Sequence, residues 1–176
     1  DQRHVIFEQR KNVIDGKEDE NYSDIFLEEV LENLKRQKIL HEKSPNSKEF
    51  PKALKQTLGK SITDNELDEI LNSDLKTMEK KIKDKFISNR DERNNLLGVE
   101  QGKEIEKRIL VQIIDQNWKS HIQYLEQLRQ VIGLRSYGQR DPLVEYKKES
   151  FGLFENLLEK IRQDTIYLLL NIKVTD

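Results

Sequence analysis

The sequence predicts an all-α fold, an elongated helical scaffold with an antiparallel two-helix hairpin and a small inserted helical subdomain. Three observations carry that expectation. The 176 residues include only 7 Gly and 3 Pro, too few turn residues for the many connections of an all-β or tightly wound α/β fold. Apolar side chains recur at intervals of three and four over long stretches, which places them on one side of a helix. Charged residues (36%) are as frequent as hydrophobic ones (35%), a balance suited to helices that bury one stripe and leave the opposite face in water.

Residues 1–14 place Ile6 with Val13 and Phe7 with Ile14 on one helical stripe, and Gly16 ends the pattern. Helical spacing resumes at Tyr22, with Phe26 and Val30 on one line and Leu27, Leu31 and Leu34 beside it, to about Leu40. Pro45 then breaks the chain, since it lacks an amide donor and pushes Ser44 out of helical geometry. Phe50, Leu54 and Leu58 form a short helix that stops at Gly59. Thr63 and Glu66 have capping-box spacing ahead of Leu67, Ile70 and Leu71. Ser73-Asp74 is expected to cap a charged helix carrying Met78, Ile82 and Phe86, and Gly98 marks the next joint. From about Glu100, the series Ile105, Ile109, Ile113 or Ile114, Trp118, Ile122, Leu125, Leu128 and Ile132 predicts one helix of about 30 residues, near 45 Å long. After a polar break at Arg135 to Pro142, Phe151, Phe154, Leu158, Ile161, Thr165, Leu168 and Ile172 alternate intervals of three and four, the spacing of a coiled-coil seam. So short a connection folds the two helices back on each other, with Asp141 as the cap and Pro142 at the first position of the return helix.

Composition narrows the function. A formal charge of -2 leaves no global field for nucleic acid or anionic membranes. The absence of Cys removes disulfides and thiolate metal sites and fits a reducing compartment. The longest apolar run, Ile166 to Ile172, is broken by Asn171 and falls far short of the roughly 20 residues that span a bilayer. Residue 1 lies inside a helical pattern with neither an initiator Met nor a signal-type start, so the chain is expected to be part of something larger.

Gly59-Lys60-Ser61 matches the tail of a phosphate-binding loop, but Leu54 stands where such a loop needs another Gly, and no strand precedes it. His4, His41 and His121 are far apart and form no ligand pattern on a helix face. The carboxylates stand among Lys and Arg, as in Glu104 to Arg108, where pairing and solvation account for them. Ser136 lacks a glycine-framed elbow. No catalytic, cofactor or metal site is therefore expected within the chain. Trp118 sits on the apolar stripe, either packed in the core or anchoring the scaffold to another domain. At the hairpin tip Arg129, Arg135, Arg140, Lys147 and Lys148 gather around Tyr137, with Gly138 and Gln139 beside it. A turn must be polar, which explains the charges. An aromatic presented there beside hydrogen-bonding neighbours also suits contact with an extended chain.

Asp1-Gln2-Arg3 with Gln9-Arg10, Leu110 to His121 with Asp115, Trp118 and Lys119, Leu128-Arg129-Gln130, Leu134 to Pro142, and Glu145 to Phe151 together resemble the C-terminal helical region of the SecA family, the ATP-driven motors of bacterial preprotein export. The likeness is close over residues 1–14 and 105–173, while residues of about 41–98 match in position only. Ser136 stands where the family usually has Gly, and Gly138 where it usually has Ala; loop flexibility moves by two positions and Tyr137 stays in register.

The resemblance implies a helical scaffold of residues 1–40 and 99–176, a helical wing of residues 41–98, and a two-helix finger with its tip at 133–142. It implies that Tyr137, with Arg135, Gln139 and Arg140, contacts the translocating polypeptide at the mouth of the SecY channel, and that Trp118 is an interdomain anchor. ATP with Mg and a zinc tail are expected in other parts of the parent protein, so this chain by itself is expected to be no enzyme. The expected partners are the SecY channel complex, unfolded preproteins, the parent's motor domains and a second copy, without specific nucleic acid. The expected location is the cytoplasm, peripherally at the inner membrane of a bacterium. Without the resemblance, the same residues fit a free-standing helical adaptor whose hairpin docks a partner protein, or, against the acidic balance, a basic tip that touches nucleic acid.

Overall fold

The computed structural model describes residues 1–16, 21–135 and 141–173, with Arg135 described by its backbone only. Most of the helix limits coincide with local chemistry that sets them. In helix α1 (Gln2–Asp15) the Asp1 side chain accepts from the Arg3 amide, and the helix ends at Gly16 with φ of 53°. Helix α2 (Tyr22–Lys43) starts at Asn21, which caps the Ser23 amide, and stops at Ser44, ahead of Pro45. Helix α3 (Glu49–Leu58) ends at Gly59, whose φ of 55° leads into a 3₁₀ turn, Gly59–Ser61. Thr63 and Glu66 form a reciprocal capping box at the start of α4 (Asp64–Leu71). The Asp74 carboxylate accepts from the Thr77 amide at 2.7 Å to open α5 (Leu75–Leu97). Gly98, with φ of 90°, turns α5 into α6 (Val99–Arg135), and Asp141 with Pro142 opens α7 (Pro142–Asn171). Among the described residues there is no strand, and the fold is all-α.

Helix α7 is the centre of the packing. Its C-terminal half buries Leu157, Ile161, Thr165, Ile166, Leu169 and Leu170, and it packs on α6, α2 and α3. The buried Thr165 hydroxyl donates to the Ile161 carbonyl at 2.8 Å, so no polar group is stranded by placing it there. One continuous apolar cluster joins α7 to Leu31 and Leu34 of α2, Phe50 and Leu54 of α3, Ile70 of α4, Ile82 and Phe86 of α5, and Ile109 to Ile114 of α6. Helix α1 adds only Ile6 and Val13 to that cluster and leaves Val5, Phe7 and Ile14 exposed.

Two details depart from the sequence reading. Helix α6 has 37 residues rather than about 30, since it runs from Val99 to Arg135 with Gly102 and Gly133 inside it. The buried seam also shifts: Ile122 is 46% exposed and Phe151 65%, while His121, Ser150 and Phe154 are buried. The seam on α6 runs Ile114, His121, Leu128, and on α7 it runs Ser150, Phe154, Leu157, Ile161. Over its C-terminal half α7 meets α2 and α3 as well as α6, so the buried arc there is set by three neighbours; nearer the tip, Ser150 and His121 are covered by α1, whose Gln2 bonds to both. Leu168 is left partly exposed by the same rotation.

At the joint of α5 and α6 the packing is ionic. Arg90 forks onto Glu106, Nε to Oε2 at 3.1 Å and Nη2 to Oε1 at 2.8 Å, and its Nη1 lies 2.9 Å from Asp24 Oδ1. Arg93, 3% exposed, donates to Asn89 Oδ1 at 2.8 Å and lies 3.7 Å from Glu106. Burial pushes the Arg93 guanidinium down, and the charge of Glu106 opposes the shift. Asn89 donates in turn to the Leu170 carbonyl at 3.1 Å, which carries the network to the end of α7. A Cβ on Gly102 would meet the end of the Asn94 side chain, which would have to turn aside, while the Asn94 backbone stays at ordinary contact distance.

Glu106→Gln leaves the buried Arg93 without its counter-charge and Arg90 with Asp24 alone, and is expected to cost about 3 kcal/mol in urea unfolding. Phe154→Ala is expected to cost about 3–5 kcal/mol and Phe151→Ala about 0.5 kcal/mol or less. Equal losses at the two Phe positions would return the seam to Phe151.

Candidate functional site

The hairpin formed by α6 and α7 is the candidate site. Its arms run antiparallel: Asn117 donates to Asp164 Oδ2 at 3.2 Å, and further along α6 the His121 ring lies 6.0 Å from that of Phe154, earlier in α7. Asp164 also pairs with Lys160 at 2.7 Å. Beyond this level the arms continue to Arg135 and return from Asp141, with Leu128 and Ile132 buried and Leu134, Leu143 and Val144 exposed.

Of the sequence-predicted site residues, Tyr137, Gln139 and Arg140 lie outside the described residues, as do Ser136 and Gly138. Arg135 closes α6, with its side chain likewise outside the description. Trp118 is half-buried and packs against the core cluster, its ring 5.5 Å from that of His121 and inclined by 32°.

Residues that the sequence reading named only as carriers of the family resemblance, with no role assigned, hold the base of the hairpin. Gln2, in the first turn of α1, donates through Nε2 to the Ser150 carbonyl of α7 at 3.1 Å, and its Oε1 lies 2.9 Å from His121 Nε2 on α6. A carbonyl only accepts, so the amide nitrogen of Gln2 must face Ser150 and its oxygen must face His121. The proton of the neutral imidazole therefore sits on Nε2. Eight residues along α1, Arg10 forks onto Asp115 of α6 at 2.7 and 3.2 Å, and that hydrogen bond raises the Arg10 pKa. Burial lowers the pKa of His121 below the usual imidazole range. One signal was present in the sequence: Ile114, His121 and Leu128 stand seven apart, so His121 occupies a seam position. Nothing local marks Gln2 or the pairing of Arg10 with Asp115.

The fold and its hairpin define a class, an all-helical scaffold in which a central helix carries a long projecting pair of arms. The chain belongs to the SecA wing and scaffold domain family, whose sequence model matches residues 1–173. It is 53% identical over 174 residues to the protein translocase subunit SecA of Pelagibacter ubique, covering 99% of this chain and 20% of that protein. It is 34% identical over 179 residues to the SecA subunit of Caldicellulosiruptor saccharolyticus, covering 98% and 20%. With the SecA subunit of Caulobacter vibrioides the identity is 33% over 187 residues, covering 99% and 19%. The chain thus spans about one fifth of the length of these relatives.

Because the folded-state pKa of His121 is depressed, the unfolded chain takes up its proton more readily. Its contribution to stability is whole above the usual imidazole value of about 6.5 and is lost as pH falls through the folded-state value. Between about pH 7.5 and about pH 5, Tm is expected to fall further in the native chain than in His121→Gln. An equal fall in both would clear His121 as a cause.

Proposed function

We propose that this chain is the wing and scaffold portion of a SecA-type translocase subunit, and that its finger holds Tyr137 against a polypeptide passing into the SecY channel. In this reading residues 41–98 are the wing, and residues 1–40 and 99–176 the scaffold. The observation that carries it is a hairpin with arms of 37 and 30 residues, rooted in a shared core, in a chain 53% identical over nearly its whole length to a translocase subunit.

A Tyr at the end of a stiff arm suits a cargo of varied sequence. Its ring buries area against any extended backbone, and its hydroxyl bonds to whatever polar group lies alongside. Arg135, Gln139 and Arg140 supply polar contacts to the same polypeptide or to the channel mouth. The ATP-hydrolysing motor domains, with their Mg, and a zinc-binding tail belong to the parent outside this chain, and they act on the finger through the scaffold. Val5, Phe7 and Ile14, which α1 leaves exposed, together with Trp118, form the surface on which those domains close. A second copy of the chain would compete for that surface. The protein works in the cytoplasm at the inner membrane; no described helix is long and apolar enough to cross it.

In the full-length protein, Tyr137→Ala is expected to lower preprotein transport into SecY-containing vesicles by about tenfold, with basal ATP hydrolysis changed far less. Tyr137→Trp should retain transport, because it keeps the aromatic surface. Undiminished transport in Tyr137→Ala would remove this assignment.

A further inference from the structure

The geometry points to Gln2 as a positioning residue that sets the direction of the hairpin relative to α1. The inference rests on the reading that the tip is the working end of the molecule. Its first support is the bonding of the carboxamide, which uses both ends at once: the nitrogen donates to the backbone of α7, and the oxygen receives the His121 proton of α6. A bond to backbone fixes the helix itself rather than one of its side chains.

The second support is the place of this clip. The core cluster ends at Phe154 on α7 and at Ile114 on α6, with Trp118 packed at its edge, so Gln2 engages the hairpin where it leaves the core. Helix α6 runs on from His121 to Arg135, about 21 Å at 1.5 Å per residue. A change of about 10° at the clip would displace the end of that arm by about 4 Å, comparable to the width of a polypeptide backbone.

The third support is how few other contacts residues 2–15 make. Only Ile6 and Val13 are buried, and the Arg10–Asp115 pair is partly exposed and touches α6 alone. That pair and the Gln2–His121 bond fix α1 along α6 at two points. The Gln2–Ser150 bond adds α7, and with it the plane of the hairpin.

The chain has no Cys, so nitroxide labels introduced by Lys11→Cys and Gln130→Cys report the distance from α1 to the distal arm by double electron–electron resonance. The expected result is one narrow distance distribution in the native chain. Gln2→Met, which keeps the reach and loses both hydrogen bonds, should widen it at least about twofold. His121→Leu should widen it as well, and the double variant no further than Gln2→Met, because a shared interaction can be lost only once. Unchanged widths, or widening in the double variant equal to the sum of the two singles, would overturn the inference. Loss of helical circular dichroism in Gln2→Met at room temperature would overturn it too, since the residue would then be holding the fold and not an angle. The distance is read without channel, polypeptide or nucleotide. A failure here therefore leaves the Tyr137 reading standing, and a transport result against Tyr137 leaves the distance result standing.

Discussion

The structure depends on burying one helix from several sides. Between Leu157 and Leu170, α7 packs against α6, α2 and α3, and Ile161, Thr165, Ile166 and Leu169 are at most 1% exposed. Each large apolar side chain removed from water contributes roughly 1.5–3 kcal/mol, which offsets the entropy of ordering the surrounding helices. The end of α7 is closed by its neighbours: Asn171 donates to the Leu58 carbonyl at 3.0 Å, and Asn89 donates to the Leu170 carbonyl at 3.1 Å. With its root held in this way, α7 can project a distal half that stands beyond the core, and α6 can project beside it.

Charge is distributed according to the same geometry. On the surface, Lys83 lies between Glu28 of α2 and Glu79 of its own helix at 2.9 and 3.1 Å, a water-screened link that contributes little. The Arg90, Arg93 and Glu106 network is different because Arg93 and Glu106 are buried. A buried ionic group of this kind is weak evidence for stability, since well-packed apolar residues would serve as well. Its consequence is one of register: a slip of α5 along α6 would leave both guanidiniums without their carboxylate.

Helix limits were legible in the sequence because they are local. Thr63 with Glu66, Asp74, and Asp141 with Pro142 cap the helices they were expected to cap, and Gly59 stops α3. The seam was legible only in part. Periodicity finds an apolar stripe but does not say which edge of it meets a neighbour, so Ile122 and Phe151 were placed inside and His121 was passed over as a polar type. The polar clip at the hairpin base was not legible at all, since Gln2 bonds to residues 119 and 148 positions away and a single sequence carries no sign of such pairs. The tip residues Tyr137, Gln139 and Arg140 rest on family resemblance, because they lie outside the described residues.

The thin attachment of α1 has a consequence for synthesis. This helix leaves the ribosome before its partners, yet Arg10 waits for Asp115 and Gln2 for Ser150. At roughly 5–20 residues per second, the wait is about 5–20 s for Arg10 and about 7–30 s for Gln2. A strongly apolar helix would spend those seconds exposed to aggregation and chaperones. Helix α1 buries only Ile6 and Val13 when it docks, and the closing of so long a loop adds only a slowly growing entropic cost. Because docking buries so little of its apolar surface, α1 owes its final seat largely to a few hydrogen bonds.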